Sequence, residues 1–260
     1  MNKKEIKNWL KSMCIENYNI NDDLSVDVNE SVYFLDHKEL TKIPIKFRMI
    51  HGSFNCSYNK LVTLDGAPDY VSESFNCSHN LLTTLEKLPK FIGRNVNCSY
   101  NELTNLIGTF EYFNKSFNCS HNKITTLIGG PKFVNNDFNC SYNKLITLEG
   151  SPELMTGDFK CQHNQLTSLK GSPKHVDWVF NCSYNKLITL EGSPEIITGN
   201  FNCEHNQLIS LKGSPKHVGW VFNCNYNKLN SLEDKPKYIG SKIFYKGNKI
   251  NDKIINTKWW

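Results

Sequence analysis

Phe138-Asn139-Cys140-Ser141-Tyr142-Asn143-Lys144-Leu145 returns 21 residues later as Phe159-Lys160-Cys161-Gln162-His163-Asn164-Gln165-Leu166, and after another 21 as Phe180-Asn181-Cys182-Ser183-Tyr184-Asn185-Lys186-Leu187. Extended both ways, the same frame places Asn59, Asn80, Asn101, Asn122, Asn143, Asn164, Asn185, Asn206, Asn227 and Asn248 without a slip. A unit this short cannot bury its own apolar face, so each copy has to stack on its neighbours. The expected chain is one elongated solenoid. Residues 33–242 hold ten repeats, the first divergent, between an N-terminal cap at 1–32 and a truncated repeat with a second cap at 243–260.

Within a copy, Phe and Cys alternate with polar Asn and Ser, so F-N-C-S reads as a short strand with one face inward. Strands from successive copies then pair in parallel, about 4.8 Å apart. The leucine columns, Leu145 and Leu148 in one copy, join the Phe column in the core, and Val134, Val176 and their equivalents close it from the return side. Prolines such as Pro131, Pro152 and Pro173 exclude a regular helix there, so turns and extended chain are expected on that wall. Nine cysteines, Cys56 to Cys224, share one column and read as small buried side chains rather than a disulfide framework. The asparagine that follows the aromatic must satisfy a buried amide, which it can do by bridging backbone groups of its own coil and the next. That makes it structural. The first asparagine of each triplet is expected to form an outward ladder of stacked amides.

An open stack needs caps. Lys3 to Ile15 places Ile6, Trp9, Leu10 and Met13 at helical spacing, and Ile20 to Val28 reads as two short strands around Asn21, Asp22 and Asp23. Ile250, Ile254, Ile255, Trp259 and Trp260 are expected to cover the last coil.

The F-N-C-S-x-N-x-L wording with L-x-G-x-P resembles the leucine-rich repeat family, and within it repeat proteins of giant amoeba-infecting viruses and large bacteriophages. The resemblance covers residues 33–250, and Ile15 to Val28 followed by Leu40-Thr41-Lys42-Ile43-Pro44 is similar to the N-terminal cap of that group. It implies a leucine-rich-repeat solenoid with a parallel β-sheet on the concave face and mostly turns and extended chain on the convex face. A small helix and hairpin cap the N-terminal end. It further implies a scaffold that binds other macromolecules, usually proteins.

Residues expected to meet a partner are the outward strand positions. One column alternates throughout as Tyr58, His79, Tyr100, His121, Tyr142, His163, Tyr184, His205 and Tyr226. Aromatics with a polar tip are favoured at interfaces. Residues 138–179 and 180–221 are near copies, and three of their differences, Asp158/Asn200, Lys160/Asn202 and Gln162/Glu204, fall on the expected concave side. Trp178 and Trp220, also two repeats apart, are expected to pack in the core or at its edge.

Cys-x-His at Cys77/His79, Cys119/His121, Cys161/His163 and Cys203/His205 lacks the further ligands of a zinc site and the orienting acid of a nucleophile. No cofactor or metal is expected, and no residue set escapes the period to form a catalytic site. The net charge of +5 is concentrated at one end, where residues 222–260 hold eight Lys against Glu233, Asp234 and Asp252. Balanced charge in the repeats argues against nucleic acid. Neither a secretion signal nor a membrane span is expected, which places the chain in the cytoplasm, the host cytoplasm for a viral chain. The expected function is a non-catalytic scaffold, monomer or weak oligomer, binding a protein through its concave sheet. The alternatives are a structural or virion-associated rod and a glycan- or nucleic-acid-binding module.

Overall fold

The structure is a computed structural model that describes residues 1–34, 40–113 and 115–250. Ile254, Ile255, Trp259 and Trp260 lie outside the described residues.

Helix α1 (Lys3–Ser12) starts at a capping box: the Asn2 side chain accepts from the backbone of Lys4 and Glu5, and Glu5 accepts from Asn2 N at 2.8 Å. It buries Ile6 and Leu10 and sets Trp9 edge-on to Phe34, ring centroids 5.5 Å apart. Strands β1 (Tyr18–Ile20) and β2 (Val26–Val28) form an antiparallel hairpin. β2 then pairs in parallel with β4 (Phe47–Ile50), so the hairpin starts one wall of the solenoid, while β3 (Val32–Tyr33) starts the other.

That second wall is a sheet of 11 parallel strands running from β3 through every Phe–Asn pair to Ile243–Phe244. Its register is one repeat per strand, with Phe117 beside Phe138 and Phe138 beside Phe159. The Phe side chains are fully buried and stack along the axis, 5.9 Å from Phe117 to Phe138 and 5.2 Å from Phe159 to Phe180. The Cys column lies beside them, also buried, with most thiols facing a strand carbonyl of the next coil, as Cys98 faces Asn118 O at 3.3 Å and Cys140 faces Lys160 O at 3.4 Å. Two leucines per coil and the return-side Val/Ile column complete a continuous core.

The return side is the expected run of turns and extended chain, and its extended pieces pair as short parallel strands. They form sheets of five, three and four strands, the first including the hairpin. Proline forbids a helix but leaves the two residues beyond the next free to pair with their equivalents 21 residues on, as Ile196–Ile197 pair with His217–Val218. Breaks fall between Ile92 and Tyr112 and between Met155 and His175. Phe110 stands where every other coil from Pro68 to Pro236 has proline, and it lines a 510 Å³ cleft at the first break. A 690 Å³ cleft bounded by Pro152, Leu154, Pro173 and His175 marks the second.

Ion pairs also follow the period. Glu111 and Lys132 (2.7 Å), Glu149 and Lys170 (3.1 Å), Glu191 and Lys212 (2.9 Å) and Glu195 and Lys216 (2.8 Å) each join adjacent coils. As exposed pairs they contribute about 0–1 kcal/mol apiece, so register is held mainly by the backbone ladders and the core.

Candidate interaction surface

The asparagine column explains how the chain leaves the Phe–Asn sheet. Asn143 Nδ2 donates to Cys119 O of the preceding coil at 3.0 Å and to Cys140 O and Ser141 O of its own at 3.1 Å. Its Oδ1 accepts Ile124 N of the preceding coil at 3.0 Å. The pattern repeats from Asn80 to Asn227, every one buried, so this column is internal structure and not a contact surface.

The aromatic column lies immediately before it. Tyr58, His79, Tyr100, His121, Tyr142, His163, Tyr184, His205 and Tyr226 are not strand residues as the alternation implied. All adopt φ between +50° and +57°, forming the left-handed corner that follows the sheet. Such a backbone costs a residue with a Cβ roughly 1–2 kcal/mol. Compensation is visible in the rings, which stack from Tyr58 to Tyr226 as one column. Centroid spacings run from 4.1 Å at His79–Tyr100 to 4.5 Å at His205–Tyr226, and the planes lie 8–18° from parallel. Each aromatic contact is worth about 0.5–1.5 kcal/mol, and with eight contacts shared among nine rings, about one per ring, the stack offsets much of the strain. Gly247 takes the next corner at φ +74°, where an added Cβ would fall 2.5 Å from the Tyr226 ring. Burial in the column, with His79 and His163 on either side, pushes the His121 imidazole below its usual value, and burial does the same for His163. Ring faces are consumed by the stack, and only edges remain outward.

The first asparagine of each triplet does not build an amide ladder. Its Oδ1 accepts its own backbone two residues on, as Asn76 accepts Ser78 N at 3.0 Å and Asn181 accepts Ser183 N at 3.1 Å. These Asx turns bend the chain off the sheet.

Several residues that vary between near copies are tied into the coil. Asp158 Oδ1 accepts Val179 N at 3.0 Å and its other oxygen pairs with Lys160 Nζ at 2.8 Å. Asn200 Oδ1 does the first task for Val221 N at 3.1 Å. Glu204 accepts Asn202 Nδ2 at 3.3 Å and Asn223 Nδ2 at 3.0 Å. Gln162 leaves its buried Oε1 without a hydrogen-bond partner.

Trp178 and Trp220 depart from the expected packing in the core or at its edge. Each is 56% exposed, and their rings meet edge to face at 6.4 Å across the coil of Gly199. A Cβ at Gly199 would collide with the Trp178 carbonyl, so the intervening coil can carry no side chain there. On the neighbouring strands, Val179, Val221, Asn181, Asn202 and Asn223 line a shallow 240 Å³ groove. Sequence reading missed this patch, although the Trp-Gly-Trp succession at one repeat position was its signal. Among the described residues no group of three or more His, Cys, Asp or Glu is placed to hold a metal, and no helix is long and apolar enough to cross a membrane.

This architecture defines a solenoid of the leucine-rich-repeat type, with a parallel sheet repeated at 21-residue spacing. The fold is shared with YopM from Yersinia enterocolitica WA-314, at a TM-score of 0.54 and 19% sequence identity over 85% of this chain and 54% of that one. The chain thus spans about half the length of that protein. No protein-family model matches the chain, and no curated protein does.

Proposed function

We propose that the chain is a non-catalytic interaction scaffold that binds a protein on the Phe–Asn sheet, centred on the coils between Asp158 and Tyr226. The observation that carries this reading is the exposed Trp178–Trp220 pair beside the groove at Asn181, Asn202 and Asn223. Tryptophan and tyrosine anchors dominate protein interfaces, and these two indoles meet each other in solvent instead of packing in the core. The same coils carry polar side chains: Lys160, Asn202 and Glu204 on the sheet, and the edges of His163, Tyr184, His205 and Tyr226 at the corner beyond it. Ladder bonds hold the platform rigid, so little ordering entropy opposes binding. The resemblance of its repeat wording to giant-virus proteins extends the reading to a host protein as partner. A column of reduced, buried thiols fits a reducing cytoplasm.

The test is a cross-linked pull-down from host-cell lysate with the natural chain and with Trp178→Ala/Trp220→Ala, both checked for folding by circular dichroism. A specific protein held by the first and lost from the second supports the reading. Identical captures would move the site elsewhere, and no capture by either would favour a structural rod.

A further inference from the structure

Where the chain turns away from the Phe–Asn sheet, the aromatic corner and the residues two and four positions beyond it point outward, while the asparagine and leucine between them are buried. Three parallel exposed columns result: aromatic, polar and β-branched. From residue 142 onward the middle column reads Lys144, Gln165, Lys186, Gln207, Lys228 and Lys249. Because the rings alternate with the same two-coil period, each of the first three lysines shares its coil with a tyrosine: Tyr142 with Lys144, Tyr184 with Lys186, Tyr226 with Lys228. The intervening coils carry His and Gln.

Other lysines pair with an acid of the neighbouring coil, as Lys170 does with Glu149 and Lys212 with Glu191, and even in this column Lys123 is paired with Glu102. Beyond Glu102 none of the three columns contains an acid. Lys186 and Lys228 reach only the neutral Gln165 and Gln207 oxygens, at 3.3 and 3.4 Å, and among the described residues no carboxylate pairs with Lys144, Lys186 or Lys228. The rim is therefore a comb of uncompensated positive charge whose teeth stand two coils, about 9.6 Å, apart.

We infer that this rim binds an acidic, extended protein segment carrying a carboxylate at every third residue, each seated between the ammonium and the phenol of one coil. A polyproline-II chain repeats every three residues at about 9.3 Å and leaves its backbone solvated, so over three teeth it drifts by less than about 1 Å. An α-helix offers same-face carboxylates about 6 Å or 10.5 Å apart, and a β-strand offers them about 6.7 Å apart, neither of which holds register along the comb. Single-stranded nucleic acid needs ring faces for its bases, and those faces are occupied by the stack. The proposal deepens the scaffold reading and rests on it only in taking the partner to be protein.

The experiment is fluorescence anisotropy of a labelled Glu-Pro-Pro repeat peptide titrated with the full chain. Controls are a Gln-Pro-Pro repeat and the variant Lys144→Gln/Lys186→Gln/Lys228→Gln, whose glutamines copy the alternate coils and should leave the melting curve unchanged. Saturable binding is expected, about tenfold weaker for either control and weakening with salt. Equal binding by the triple variant overturns the proposal. So does equally lysine-dependent binding of oligothymidylate or phosphatidylserine vesicles, which would make the rim a general anion surface. In the lysate pull-down, a partner kept by the triple variant but lost from Trp178→Ala/Trp220→Ala sinks the comb and leaves the scaffold reading standing. Glu-repeat binding with no lysate partner does the reverse.

Discussion

Replacing Asn143 with alanine tests the device that closes every coil. The substitution strands Ile124 N, whose partner is Asn143 Oδ1 at 3.0 Å; a buried orphan donor costs about 1–3 kcal/mol. The carbonyls on the other side fare better. Cys119 O keeps Asn122 Nδ2 at 3.1 Å, Cys140 O keeps Asn164 Nδ2 at 3.0 Å, and Ser141 O keeps His121 N at 3.0 Å. Their share is therefore about 1 kcal/mol, and the total about 2–4 kcal/mol. For a chain of this size that lowers the thermal midpoint by roughly 5–15 °C. Asn59 supplies an internal control, because it donates to Phe34 O, Cys56 O and Ser57 O but its Oδ1 accepts nothing. Asn59→Ala lacks the orphan-donor term and should cost about 1–2 kcal/mol. Asn143→Asp keeps the acceptor but turns a second oxygen on three carbonyls, and should fall below Asn143→Ala at neutral pH. Circular dichroism melts and urea titrations of the three variants give the ranking. A midpoint for Asn143→Ala at or above that of Asn59→Ala, or a tolerated Asn143→Asp, would refute the bridging account.

At the left-handed corner, Tyr142→Ala keeps the backbone strain and loses two ring contacts, whereas Tyr142→Gly loses the contacts but relieves the strain; urea melts should place the glycine variant about 1 kcal/mol above the alanine one. The His121 and His163 imidazoles are held below their ordinary value of 6.5 in the folded chain, so below pH 6.5 the unfolded chain binds more protons. Thermal midpoints should stay level above that pH and fall as pH drops through the lowered folded values, and His121→Tyr/His163→Tyr should flatten the decline. Burial pushes the Cys77 and Cys224 thiols up to about 12 and raises the rest of the column, while Cys14 is exposed. A thiol-reactive chromophore should find one cysteine in the native chain and all ten after denaturation; several fast-reacting thiols in native buffer would mean that the coils open locally.

Much of this protein could be read along one line of its chain. Eight copies of Phe-x-Cys and one of Val-x-Cys, each with two aliphatic residues behind it, dictate inward columns, and a 21-residue return permits only stacked coils, because no single copy can bury its apolar face. The buried role of Asn143 follows from its place among apolar columns, since an amide there must find backbone partners. Other features depend on what the next coil brings. Ile196–Ile197 is a strand only because His217–Val218 lies beside it. Tyr142 reads as an outward strand residue until its positive φ and its stack between His121 and His163 are seen, because ring contacts between coils offset a strain that local propensity forbids. Asp158 looks free to meet a partner, yet it holds Val179 N of the following coil. Trp178 and Trp220, each just before a Val-Phe strand start, read as core or edge residues, and only the stacked coils, with glycine between them, show both indoles in solvent. Period and burial are properties of one repeat, whereas corner conformation, capped donors and exposed anchors are properties of neighbouring repeats in contact.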